Sequence, residues 1–358
     1  MPDKKTPQYI LTINPGSTST KVALFAREQK IAQDSIHHTT EELKKYNDIW
    51  DQLGIRYQAI EKFLSQNYFQ GEMAGVVGRG GLLKPLRNGT YQVNDQMIKD
   101  ARQGLQGVHI SNIGCALAQK FADKFHCNAY VVDPVSVDEF SAITRLSGHP
   151  LIQRHALSHA LSIRASTFRA AAQMHIDSRN ANFIVTHLGG GISIAAVERG
   201  RIIDVNDASS DGPFSPERTG SLPLQSFIDI CFSGKYTENE IRKMVMGKGG
   251  MVAYLGTNDL QQVEQMVDAG DRQARLVYEA MAYQIAKEIG SMACVLSGRI
   301  DAIILTGGMA QSNRLIVLLT NRVKFIAPTI VIKGELEMEA MANGLLRVLN
   351  GQENCLQY

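Results

Sequence analysis

Short glycine-bearing stretches, each at the end of an apolar run, are where this sequence could do chemistry. Asn14-Pro15-Gly16-Ser17-Thr18-Ser19-Thr20 separates the β-leaning run Tyr9–Ile13 from Lys21–Phe25. Gly78-Arg79-Gly80-Gly81 follows Ala74–Val77, and Thr306-Gly307-Gly308 follows Ala302–Leu305. His187-Leu188-Gly189-Gly190-Gly191 lies between Phe183–Thr186 and Ile192–Val197. Backbone N–H groups can approach an anion where no Cβ intervenes, so these loops are candidate phosphate cradles. Two common nucleotide sites are disfavoured. A P-loop needs G-x-x-x-x-G-K-[ST] between strand and helix, whereas Gly16–Lys21 reads GSTSTK and runs into a strand. A dinucleotide site needs G-x-G-x-x-G opening a helix; the first loop lacks it, and a strand follows Gly191.

The elements that hold these loops occur in one order, twice. A hairpin with its loop is followed by a strand ending in Gly-Gly, then by a last strand, Ala129–Val132 in the first half and Thr329–Ile332 in the second. A period of well over a hundred residues points to two similar domains rather than a short-repeat solenoid. Helices fill the gaps. Asp271–Leu296 carries Val277, Met281, Ile285, Ile289, Met292 and Leu296 at near-helical spacing, with Gly298 to stop it. Ser111–Phe125 and Leu157–Met174 read as helices too. Strands alternating with helices give an α/β fold. The expected division is residues 1–150 plus 340–358 for one domain and 151–339 for the other, with a cleft between them. Leu345–Leu349 begins a tail returning to the first domain.

Composition limits the function classes. Of 358 residues, 44% are hydrophobic and 20% charged, which fits a soluble globular protein with real cores. A net charge of +2, without a Lys/Arg block, argues against a nucleic-acid partner. Nothing approaches the roughly 18 continuous apolar residues of a membrane span, and the N-terminal stretch lacks a signal core, so a cytoplasmic location is expected. Cys115, Cys127, Cys231, Cys294 and Cys355 are odd in number, dispersed and without a C-x-x-C pair, as for reduced thiols rather than a zinc or disulfide framework.

A phosphate-gripping hairpin in each of two duplicated domains is the mark of the actin, heat-shock ATPase and sugar-kinase superfamily. Within it, ILTINPGSTSTKVALF resembles the N-terminal signature of the acetate kinase family, and its Pro15 variant resembles the butyrate kinase branch. VVGRGGLLKPL, TYQVN, THLGGGISIA, DGPFSPERTGSLP and ILTGGMAQSN follow in the same order over nearly the whole chain. The resemblance implies two duplicated ribonuclease-H-like domains, ATP/ADP and Mg²⁺, direct phosphoryl transfer to a short-chain fatty acid giving an acyl phosphate, and a homodimer or higher homo-oligomer.

It also implies roles, position by position. Asn14, Ser17, Ser19 and Lys21 match the loop beside the transferred phosphate, where hydroxyls and amides donate and lysine adds a point charge. Arg79 and Arg218 resemble catalytic arginines that clamp the phosphoryl oxygens. Asp133 resembles an essential acid that holds Mg²⁺, directly or through water, or orients the acyl acceptor. His155 aligns with a histidine that bonds the phosphoryl group, although Arg154 and Ala156 replace its usual neighbours; His159 reads as an ordinary helix residue. His187, Gly189, Gly190 and Gly191 match the second phosphate loop. Gly307, Gly308 and Met309, with Gly256 in the Gly256–Asp259 loop, match the nucleotide end. A late Mg²⁺ acid is Glu337 or Glu339, and His109 or Ser111 fills a further position.

The expected reaction is butanoate plus ATP to butanoyl phosphate plus ADP, reversibly. Acetate or propionate is an alternative substrate. A non-catalytic ATP-binding regulator is the alternative of another class; such regulators carry a helix-turn-helix ahead of the first strand, for which this sequence leaves no room.

Overall fold

Strand β1 (Gln8–Pro15) reads QYILTINP, and its residues Ile10–Ile13 are all buried. A strand buried on both faces needs a cover on each side, and glycines in a neighbouring strand show where the covers lie. The computed structural model describes residues 8–67 and 69–358. In it β1 pairs antiparallel with β2 (Ser19–Ala26), which pairs with β3 (Gln29–His37). On its other side β1 runs parallel to β4 (Glu72–Arg79). Next come β5 (Thr90–Gln92) and β6 (Ala129–Val132), and the sheet order is Leu356–Gln357, β5, β6, β4, β1, β2, β3. Gly75 and Gly78 of β4 point to opposite faces. A Cβ on Gly78 would lie 2.2 Å from the Gly114 carbonyl of helix Gly114–Phe125, and one on Gly75 would lie 2.7 Å from Leu345 of helix Glu337–Leu349. The two helices therefore cover the two faces, and each packs closely because a strand glycine admits it.

The second unit has β7 (Leu146–His149) and β8 (Ile152–Gln153) as a separate two-stranded hairpin. Its main sheet holds β9 (Asn182–Leu188), β10 (Ile192–Glu198), β11 (Arg201–Val205), β12 (Ala302–Gly307) and β13 (Thr329–Lys333), in the order β11, β10, β9, β12, β13. The first sheet repeats this order as β3, β2, β1, β4, β6, with the same antiparallel hairpin and parallel partners. The core of the second unit is built on helix Arg272–Val295, whose Val277, Met281, Ile285, Ile289 and Met292 are buried; Asp271 caps it by accepting from the Gln273 and Ala274 N–H groups.

Expected strands and helices fall where the apolar runs lie. Ser111–Phe125 is a 3-10 turn, Ile110–Ile113, followed by the helix, and the helix expected from Leu157 begins at Ala160. The third strands β3 and β11 were not anticipated; β3 has no fully buried residue.

The chain divides into Met1–Val137 with Leu336–Tyr358, and Asp138–Glu335. The sequence reading put these crossings at 150/151 and 339/340. Leu86 holds the Ser136–Val137 segment to the first unit, whereas Asp138 takes a bidentate bond from Arg145 (2.6 and 2.8 Å) and Glu139 accepts from the Ile202 N–H (2.9 Å). Residues ahead of β1, on which the argument against a preceding helix-turn-helix rests, lie outside the described residues. Among the described residues no helix is long and apolar enough to cross a membrane, and the five cysteines are free thiols.

Candidate active site

In the first unit, side chains gather at the carboxyl ends of the parallel strands β1, β4 and β6, where open α/β sheets place their ligands. The loop after β1 is a tight turn closed by the Gly16 N–H on the Ser19 carbonyl (2.8 Å). Ser17 is exposed, and Ser19 and Lys21 are half-buried; Lys21 stands across the hairpin from Asn14. The Asn14 amide donates to Glu337 Oε2 (2.7 Å). Arg79, ending β4 and only 5% exposed, lies with Nε 3.9 Å from Glu337 Oε1, and its Nη1 donates to the Asp133 carbonyl at 3.4 Å. Asp133 itself follows β6. It is buried with φ +40°, a left-handed conformation that costs energy for a non-glycine residue. Reciprocal bonds with Gly89 hold it there: its N–H donates to the Gly89 carbonyl (3.0 Å), and its Oδ1 accepts from the Gly89 N–H (2.7 Å).

Asn14, Arg79, Asp133 and Glu337 thus form one cluster, though they come from distant parts of the sequence. Of the two late acids, Glu337 joins it, while Glu339 pairs with Lys30 at 2.8 Å. His109 caps the Ile110–Ile113 turn, accepting from the Ser111 N–H (3.2 Å).

In the second unit the glycine loop is held by charged neighbours. The Arg218 guanidinium lies against Gly191, where a Cβ would be 2.3 Å from Nη1. Nη1 donates to the Ala208 carbonyl (2.6 Å), while the buried Nε makes no hydrogen bond. Burial lowers the Arg218 pKa, but an arginine remains a cation at neutral pH. Glu217 stands beside Gly190, and the Ser215 hydroxyl donates to the Gly190 carbonyl while accepting from the Arg218 N–H. Gly307, φ +95°, presses on the Leu188 carbonyl, where a Cβ would come within 2.4 Å; Gly308 is open and Met309 buried. Gly256 is an exposed, left-handed cap of helix Gly250–Leu255, a structural role. Its loop nevertheless reaches the site, since Asn258 donates to Glu217 Oε2 at 3.3 Å.

His187 ends β9, and its ring stacks on His159 at 4.1 Å and 20°. His159 Nδ1 is hydrogen-bonded to the Ser193 hydroxyl (2.8 Å). His159 is therefore part of the loop's support rather than an ordinary helix residue. His155 is exposed, beyond the bidentate anchor of Arg154 on Asp204 (2.8 and 3.2 Å).

Sequence reasoning passed over Ser215, Glu217 and, beneath the first loop, the fully buried Arg56. One signal for the last was legible: Arg56, Ile60 and Phe63 share the buried stripe of helix Leu53–Gln66 at i, i+4 and i+7.

Residues 144–335 match the Acetokinase family. Over 345 residues, 96% of this chain and 98% of the other, the sequence is 51% identical to "Probable butyrate kinase 2" of Caldanaerobacter subterraneus subsp. tengcongensis. The chain belongs to the acetokinase family. It is a carboxylate kinase, and kinases of this family use ATP. A second relative, Butyrate kinase 2 of Clostridium acetobutylicum, is 48% identical over 351 residues, 98% of this chain and 99% of that one. Among solved structures, acetate kinase from Porphyromonas gingivalis superposes with a TM-score of 0.79 at 17% identity, covering 96% and 100% of the two chains. A propionate kinase from Francisella tularensis gives 0.73 at 18% identity, covering 94% and 98%. At such identities the shared property is the fold, the duplicated ribonuclease-H-like architecture of actin-like ATPases.

Proposed function

We propose that this acetokinase-family enzyme phosphorylates butanoate to butanoyl phosphate with ATP, reversibly and by direct in-line transfer. The observation that carries the acyl-chain assignment is the 48% identity, over 98% of this chain, to Butyrate kinase 2 of C. acetobutylicum. The site chemistry agrees with phosphoryl transfer. A carboxylate is ionised at neutral pH, so the acceptor needs no strong general base. Catalysis then rests on positioning and charge. Ser17, Ser19 and Lys21 donate to phosphate oxygens. Arg79 and Arg218 each supply a guanidinium to the charge that spreads as the phosphoryl group moves. His155 and His187 add donors, and Gly189–Gly191 and Gly307–Met309 receive the nucleotide. Asn14 is held by Glu337 with its amide at the loop.

Mg²⁺ is part of this reading. Among the described residues no group of three or more His, Cys, Asp or Glu side chains could hold a metal by itself. Asp133, whose main-chain carbonyl Arg79 contacts, and Glu337, whose carboxylate lies 3.9 Å from Arg79, fit the alternative mode, in which one or two carboxylates and phosphate oxygens share the ion. When bound, Mg²⁺ neutralises phosphate charge. A cytoplasmic homodimer or larger homo-oligomer completes the reading, supported by exposed apolar side chains such as Leu224 and Phe232.

The test is ATP- and Mg²⁺-dependent acyl phosphate formation, trapped with hydroxylamine, on acetate, propionate, butanoate, isobutanoate and isovalerate. A kcat/KM maximum at four or five carbons is expected. A maximum at acetate would overturn the acyl-chain assignment, and no product with any acid would overturn catalysis.

A further inference from the structure

The largest side chain with no solvent exposure is that of Arg56. An arginine is almost never fully buried without a carboxylate partner, yet among the described residues every partner of this one is neutral. Nε and Nη2 donate to Gln52 Oε1 (3.3 and 2.9 Å). Nη1 donates to the Ser19 carbonyl (2.7 Å) and the Thr20 hydroxyl (3.0 Å), and Nη2 reaches the Ser17 carbonyl at 3.5 Å. Burial brings its pKa down to about 10, which leaves it charged at neutral pH. A buried charge without a counter-ion is costly, and the fold keeps it directly behind the Ser17–Thr20 loop.

The consequence for the loop is geometric. In a trans peptide the carbonyl and the following N–H point in opposite directions. The Ser17 and Ser19 carbonyls turn inward to Arg56, and the Thr18 carbonyl turns inward to the His38 N–H (2.9 Å). These three carbonyl oxygens are thereby kept off the solvent side, where Ser17 and Thr18 are exposed. That face is left to N–H groups and hydroxyls, with a positive charge behind it. The Thr20 hydroxyl accepts from Arg56 and sits 2.8 Å from Nε2 of the buried His38, which extends the support one residue further.

We propose that Arg56 is a positioning residue for phosphoryl transfer: an unbalanced buried cation that orients the Pro15–Thr20 loop and supplies the positive field in which it holds a phosphate. This rests on the reading of Ser17 and Ser19 as phosphate-contacting. It makes the anion the missing counter-ion of Arg56, met through the loop rather than by contact.

Gln52→Glu tests the electrostatic claim without removing a bond. It places a carboxylate where the guanidinium already has two hydrogen bonds, so the loop stays anchored while the charge is balanced internally. In the full-length chain, inorganic phosphate binding by ³¹P NMR titration is expected to weaken at least threefold in Gln52→Glu and at least tenfold in Arg56→Met. Turnover with ATP and butanoate should fall about tenfold and at least thirtyfold respectively, mainly in kcat. The melting temperature of Gln52→Glu should equal or exceed the parent's. A merely structural Arg56 predicts the reverse, unchanged phosphate affinity and kcat in the folded Gln52→Glu protein, and that result overturns the proposal even where Arg56→Met fails to fold. The phosphate titration separates the two readings: a parent that makes no acyl phosphate yet binds phosphate in an Arg56-dependent way sinks the kinase reading alone, and a parent that binds no phosphate sinks this one.

Discussion

The two hairpins of the duplicated fold are built from opposite materials. The first loop, Pro15–Ser19, is rich in hydroxyls, carries one glycine, and stands on the buried Arg56. The second, Leu188–Gly191, has no hydroxyl and three glycines, with Arg218 lying on the loop itself at Gly191. The surroundings also differ in sign. Behind the first loop is a cation whose partners are neutral. Near the second, Asn206 links the Ile192 carbonyl to that of Asp211, and burial, then Asp211 and Asp204, raise the pKa of half-buried Glu288 while Arg154 opposes them. Topology was duplicated, but the placement of the arginine was not. Arg56 lies behind the first loop, and Arg218 lies against the second.

This contrast can be broken most sharply at the contact arginines. Arg218→Ala and Arg79→Ala should each lower kcat by about a thousandfold, the scale for a guanidinium acting on a phosphoryl group, with far-UV circular dichroism unchanged. Retention of more than a tenth of parental turnover in both would end the assignment. The loops themselves come next. Gly191→Ala puts a methyl group 2.3 Å from Arg218 Nη1, whereas in Gly16→Ala the nearest atom is Ser19 Oγ at 3.2 Å. The first change should cost roughly a hundredfold in kcat/KM and the second less than about fivefold, because only the first displaces a charged group; equal losses would mean the loops are held alike.

Within the first unit, Glu337→Gln should raise the Mg²⁺ concentration for half-maximal activity about tenfold, and Glu339→Gln, which loses only a surface pair with Lys30, should leave it within a factor of about two. The smallest effect concerns the acids near the second loop. Burial first, then Asp211 and Asp204, hold the Glu288 pKa above its ordinary value, so the folded state keeps that proton longer than the unfolded chain. The associated stability is present below the ordinary glutamate range and is lost as pH rises through the folded pKa. Glu288→Gln should accordingly raise Tm by about 1–3 °C at pH 7–8 and converge on the parent near pH 4. A pH-independent offset in thermal melts would refute that cause.

Much of this was legible before any coordinates. The apolar runs Ala74–Val77 and Ala129–Val132 and the periodic stripe of Asp271–Leu296 mark their elements because continuous burial leaves a continuous signature. β3, with no fully buried residue, leaves no such signature. At the site, the glycines and Arg79 were visible as punctuation at strand ends. What decides between Glu337 and Glu339 is a hydrogen bond to Asn14, and no local pattern encodes that. Arg56 was concealed by expectation: among Ile60 and Phe63 an arginine reads as a surface break in the stripe, when it lies fully inside. His159 looked like helix sequence because its partner, His187, belongs to another strand.

The Asn14–Glu337 bond joins residues 323 positions apart, and the whole of Asp138–Glu335 lies between them. Synthesis runs from the N-terminus, and domains fold as units while it proceeds. A ribosome therefore releases the complete second unit before Glu337 appears, and the first unit waits without the helix that covers Gly75 and without the acid beside Arg79. The nascent chain cannot assemble its carboxylate cluster early, so the order of translation delays this cluster until the second unit is already made.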